Sequence, residues 1–129
     1  MINKEIIEKI ILENNLTKIQ TKSIDMESSS IEELKWSDER IALRDFIAGL
    51  SEDDITDLIA LMDYGRELYH MKSERASQKD FMERRQSLGS QIKTDKEKSE
   101  KASYLLKNAY LSEYLQRALQ LFENNAFNF

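Results

Sequence analysis

Three carboxylates fall within five residues at Asp53, Asp54 and Asp57. Asp53 and Asp57 are four apart, so a helix would put them on one face. Such a cluster can hold Mg²⁺ or Ca²⁺. The plainer reading is a helix start, where acids in the first turn meet the positive end of the helix dipole and the rest line a solvated face. Further on, Glu67-Leu68-Tyr69-His70 has the Glu-x-x-His spacing of carboxylate-bridged di-iron bundles. Such a site needs two of these motifs, and His70 is the only histidine. A helix-end histidine is the simpler account. With glycines only at 49, 65 and 89, no phosphate-cradling loop can be built. There is no cysteine nucleophile and no serine in a recognisable elbow. The expectation is no catalytic residue, no metal and no cofactor.

Charge offers two further surfaces. Residues 1–71 carry 8 Lys/Arg against 16 Asp/Glu, a net of −8, whereas residues 72–107 carry 10 against 6, a net of +4. Such a split can mean an internal electrostatic match or a binding surface. The acidic region from 25 to 67 can engage a basic protein, with Glu52, Asp53 and Asp57 as its candidate residues. The segment 72–107, with Lys93, Lys96 and Lys98, is the alternative, a nucleic-acid contact. Acids interrupt that segment, and a solvated face explains it equally.

These side chains must be carried by helices. The chain has 129 residues, 33% charged and 40% hydrophobic, which suits one domain with a real core. The expected fold class is all-α, a compact single-domain bundle of five or six helices over residues 1–129. Without cysteine, no disulfide is possible, and without proline no kink is imposed. Glu5, Glu8 and Lys9 break the apolar run of a signal peptide, and no stretch reaches membrane-span length. A cytoplasmic setting is the expectation.

Asn3 can cap a first helix with Ile6, Ile7, Ile10 and Ile11 on one face, stapled by Ile2 and fraying at Asn14-Asn15. Residues 17–30 read as a loop, and Ser30 with Glu33 as a capping box opening a short turn. Ser37 caps a helix with Leu43, Phe46, Ile47 and Leu50 on one face, stopped at Gly49 by a left-handed glycine. Ser51 caps the next, whose buried stripe is Ile55, Leu58, Ile59, Met62 and Tyr69. Gly65 lies beside that stripe. A glycine inside a helix costs about 1 kcal/mol relative to alanine, so close approach of a neighbouring backbone is expected there. Ser77 and Asp80 open a helix presenting Phe81, Met82, Arg85 and Leu88 and ending at Gly89. Residues 90–99 read as a connector, with a capping box at Thr94 and Glu97. The phase of Tyr104, Leu105, Tyr110, Leu111, Tyr114, Leu115, Ala118, Leu119 and Phe122 slips near Asn108, which implies two helices.

Leu61-Met62-x-x-Gly65-Arg66, then Tyr104-Leu105-Leu106 and Tyr114-Leu115, resemble the bacterial domain-of-unknown-function family 3775. That likeness covers roughly three-quarters of the chain, with 17–30 poorly matched. The family's run continues Gly-Arg-Gly-Asp, whereas here Glu67-Leu68 follow, so the helix is expected to run on through Tyr69. The resemblance implies an α-helical fold and supplies no activity. The functional expectation is a non-enzymatic protein-interaction module. A nucleic-acid-associated regulator comes second and a small enzyme or ligand-binding domain third.

Overall fold

A computed structural model describes residues 2–20, 36–72, 76–88 and 92–124. Six α-helices run through them: α1 (Lys4–Gln20), α2 (Asp38–Ala48), α3 (Glu52–His70), α4 (Gln78–Leu88), α5 (Asp95–Lys107) and α6 (Leu111–Asn124). There is no strand among the described residues. The fold is the expected all-α bundle.

The helices start where side chains can satisfy their first N–H groups. Ser37 Oγ accepts from the Arg40 N–H and Ser51 Oγ from the Asp54 N–H, both at 3.1 Å. Thr94 Oγ1 accepts from the Glu97 N–H, and the Glu97 carboxylate reaches back to the Thr94 hydroxyl and the Lys93 N–H. Each satisfied cap stabilises by about 1 kcal/mol. Asn108 both ends α5 and accepts from the Tyr110 N–H at 2.9 Å, so the phase slip is a break between two helices.

The central helix is α3. It buries eleven residues, among them Ile55, Leu58, Leu61, Met62 and Gly65, and packs most extensively on α6. His70 meets Tyr114 and Tyr64 meets Phe122, so the two helices run antiparallel. Gly65 sits against the α6 backbone. A Cβ placed there would lie 2.0 Å from the Tyr114 carbonyl oxygen and 2.8 Å from its carbon. The close approach anticipated from the sequence is this contact.

Several expectations are corrected. The first helix does not fray at Asn14-Asn15 but continues to Gln20, because Asn14 is buried and hydrogen-bonded on both sides. Residues 17–20 are therefore helix, not loop. In the connector proposed for 90–99, Ile92 is buried and α5 begins at Asp95. Gly49 ends α2 in the right-handed region (φ −81°, ψ −7°), so no left-handed glycine is involved. Tyr69, Met82, Tyr104 and Tyr110 are 47%, 52%, 50% and 57% exposed rather than in the core. Residues 21–30, the Ser30–Glu33 box and Gly89 lie outside the described residues.

Gly65→Ala gives the sharpest test of this packing. Alanine is the better helix former by about 1 kcal/mol, so an uncrowded site would gain stability. Here the added carbon meets backbone that cannot rotate away. We expect a loss of about 2–3 kcal/mol, read as a fall of roughly 6–12 °C in melting temperature.

Candidate interaction surface and the ion pairs beneath it

The acids of α3 face the arginines of α4. Asp57 is 2% exposed, and its Oδ1 accepts from Arg85 Nε while its Oδ2 accepts from the Ile2 backbone N–H at 2.8 Å. Arg85 also reaches the largely exposed Asp53 at 3.2 Å. The hydrogen bond to Asp57 pushes the Arg85 pKa above its ordinary value, against the opposing pull of burial. About two to three turns further along α3, Arg84 pairs with Asp63 and Glu67 and lies 5.0 Å over the Tyr64 ring. The Tyr64 hydroxyl in turn accepts from the Ser77 N–H at 2.8 Å, beside the start of α4.

The candidate residues therefore part company. Asp57 lies in the core, holding Ile2 and α4 to α3, and does not belong to a solvated face. Glu52 and Asp53 stay exposed at the start of α3. Glu67 turns to Arg84, whereas His70 Nε2 lies 3.0 Å from the Tyr114 hydroxyl, so the two ends of Glu-x-x-His serve different partners. Among the described residues, no three His, Asp or Glu side chains converge as metal ligands. Lys93 and Lys96 are exposed and Lys98 half-buried at the start of α5, interleaved with Asp95, Glu97 and Glu100. Lys96 sits 4.0 Å from Glu100.

No local pattern marks Arg40 as a core residue. It looks like an ordinary α2 surface residue but is buried. It donates to Asn14 Oδ1 and Thr17 Oγ1 at 3.1 Å and to the Leu106 carbonyl at 2.6 Å, with its guanidinium 5.1 Å over the Trp36 ring. Asn14 passes the network on to Ser112 Oγ at 2.7 Å. Four helices are joined by one guanidinium and one amide.

The exposed groups that gather are aromatic. At the end of α3, the Tyr69 and His70 rings pack edge-on to Tyr114 at 5.9 and 5.7 Å. Tyr110, just before α6, lies 6.0 Å from the same ring. Tyr114 is buried, while Tyr69, Tyr110 and the adjacent Met71, 68% exposed, face outward. Lys72, beside them, adopts φ 51°, a left-handed turn that ends α3 without a glycine.

A family model, described as a protein of unknown function (DUF3775), matches residues 40–123, well over half of the chain. The chain belongs to that family. The match spans α2 to α6 and includes the Gly65 contact, both α4 arginines and the aromatic edge. No curated protein and no solved structure matches the chain. No helix among the described residues of this DUF3775 domain is long and apolar enough to cross a membrane.

Two substitutions test this account. Asp57→Ala leaves the Ile2 N–H unpaired and Arg85 with Asp53 alone, and equilibrium unfolding should show a loss of about 2–3 kcal/mol. Lys72→Gly relieves the left-handed strain, and the same measurement should show a gain of about 0.5–1 kcal/mol.

Proposed function

We propose that this DUF3775 domain is a non-enzymatic protein-interaction module, acting in the cytoplasm, that docks a partner on the aromatic edge. The observation that supports this is the placement of Tyr69, Tyr110 and Met71. They stand outward around the buried Tyr114 ring instead of joining the core. Tyrosines offer large, stiff, amphipathic contact area and are enriched among the few interface residues that carry most binding energy. The buried polar groups support the same reading, since Asp57, Arg40 and Asn14 are occupied in holding helices together. The exposed acids Glu52 and Asp53 add a negative field that speeds encounter with a basic partner without joining the contact.

The test compares captures from the host organism's lysate by wild type and by Tyr69→Ser/Tyr110→Ser. Both positions are about half exposed, so the melting temperature of the variant should hold. A protein retained by wild type and reduced at least about tenfold by the variant supports the reading, since anchor residues contribute on that scale. Reversing Glu52 and Asp53 to lysine should slow association at low salt and leave dissociation unchanged. Capture that is indifferent to both variants, with a metabolite raising the melting temperature, points to a ligand site instead.

A further inference from the structure

A second surface lies between α1 and α2. Lys9 sits over Phe46 near the end of α2, whereas Asn14 and Thr17 meet Arg40 near its start, so these helices are antiparallel. Between them is an open groove of about 600 Å³. Its apolar lining includes Leu16, 58% exposed, with Phe46 and the exposed Ala42. From Lys9 to Thr17 the trough runs roughly 12 Å at 1.5 Å per residue, two turns of a helix. Ala42 has only a methyl group, which lets another backbone come close.

The rim carries two acids, Glu13 and Glu39, against one cation, Lys9, a net of −1. Lys9 is folded over the Phe46 ring at 4.4 Å. Glu13 and Glu39 flank the apolar strip, and neither takes part in an ion pair among the described residues. The trough on the other flank of α1 is also partly apolar, with Ile11, Leu12 and Leu119, but its acids Glu8 and Glu123 are both paired with Lys4. The 21–35 stretch that joins α1 to α2 carries Lys22 and Lys35 against Asp25, Glu27, Glu32 and Glu33, a net of −2, the same sign as the rim. We propose that the α1–α2 groove docks a cationic amphipathic helix of a partner protein, its apolar face on Leu16, Ala42 and Phe46 and its lysines or arginines toward Glu13 and Glu39. An amphipathic helix in an apolar groove is a recurrent mode of peptide recognition, and the flanking charges select its sign.

The probes are two labelled helical peptides of about 14 residues, with the same leucine positions, one bearing lysines and the other glutamates on the polar face. Fluorescence anisotropy with the full chain should show the lysine peptide binding at least about tenfold more tightly than the glutamate peptide. Ala42→Arg, which fills the trough at an exposed position, and Glu13→Lys/Glu39→Lys should each weaken the lysine peptide by a similar factor without moving the melting temperature. Tyr69→Ser/Tyr110→Ser should leave it unchanged, which separates this groove from the aromatic edge. Equal affinity for the two peptides, or binding indifferent to Ala42→Arg, overturns the proposal. So does failure of both peptides to bind. If that failure comes with a lowered melting temperature in Ala42→Arg, the chain's own residues fill the groove. If it comes with a dimer that Ala42→Arg splits, a second copy fills it.

Discussion

The absence of a side chain at Gly65 sets the spacing of the whole bundle. Helices usually lie 8–10 Å apart, held off by their side chains. Where a Cβ would come within 2.0 Å of a carbonyl oxygen, α3 and α6 are in backbone contact. That contact fixes the registry of everything beside it. Ala118, fully buried, can pass close by on α6, and Phe122 reaches Phe81 and Tyr64 at 5.1 and 6.0 Å. At the other end, it brings Tyr114 under Tyr69 and His70. The aromatic edge is thus a consequence of the glycine, since a wider α3–α6 spacing would separate those rings.

The polar groups inside this frame act as locators more than as sources of stability. An ion pair with one buried member, such as Asp57–Arg85, gains modest net free energy, because desolvation of the buried charge offsets part of the attraction, yet removing that charge's partner is expensive. The same asymmetry holds for the Arg40 network, whose hydrogen bonds reach α1 and α5. An apolar interface between α1, α2 and α5 can slide by a turn at modest cost. A guanidinium that must meet Asn14, Thr17 and the Leu106 carbonyl together cannot. The α4 arginines do likewise for a short helix that buries only Phe81 fully.

Local signals in the sequence carried over well where local physics decides. The caps at Ser37, Ser51 and Thr94, the break at Asn108 and the crowding at Gly65 follow from hydrogen-bonding needs and steric limits visible within a few residues. The misreadings share one cause, tertiary contact. Asn14-Asn15 looks like a helix end by propensity, but Asn14 is held by Ser112 and Arg40, 98 and 26 residues away. Asp57 sits in an acid-rich stretch and looks solvated, but its partners are Ile2 and Arg85. Periodicity placed Tyr69 on the buried stripe of α3, yet α3 is packed on fewer sides near its end, and the ring turns outward. The aromatic edge was therefore written in the sequence as core, and only its exposure identifies it as surface.

The charge split between the two halves of the chain resolves along chemical lines. Among the described cations of 72–107, the arginines Arg84 and Arg85 are those that pair with α3, consistent with the planar guanidinium's ability to bridge two carboxylates at once. The lysines Lys79, Lys93 and Lys96 stay in water, separated by Asp80, Glu83, Asp95 and Glu97. Alternating signs a few ångströms apart cancel within a Debye length of about 8 Å, so the positive segment projects little field of its own. The acids of α3 that the arginines neutralise are likewise removed from the outer field. What remains acts locally: Glu52 at the head of α3, and Glu13 and Glu39 along the α1–α2 groove. Charge in this domain first aligns helices, and only the residue left over is available to choose a partner.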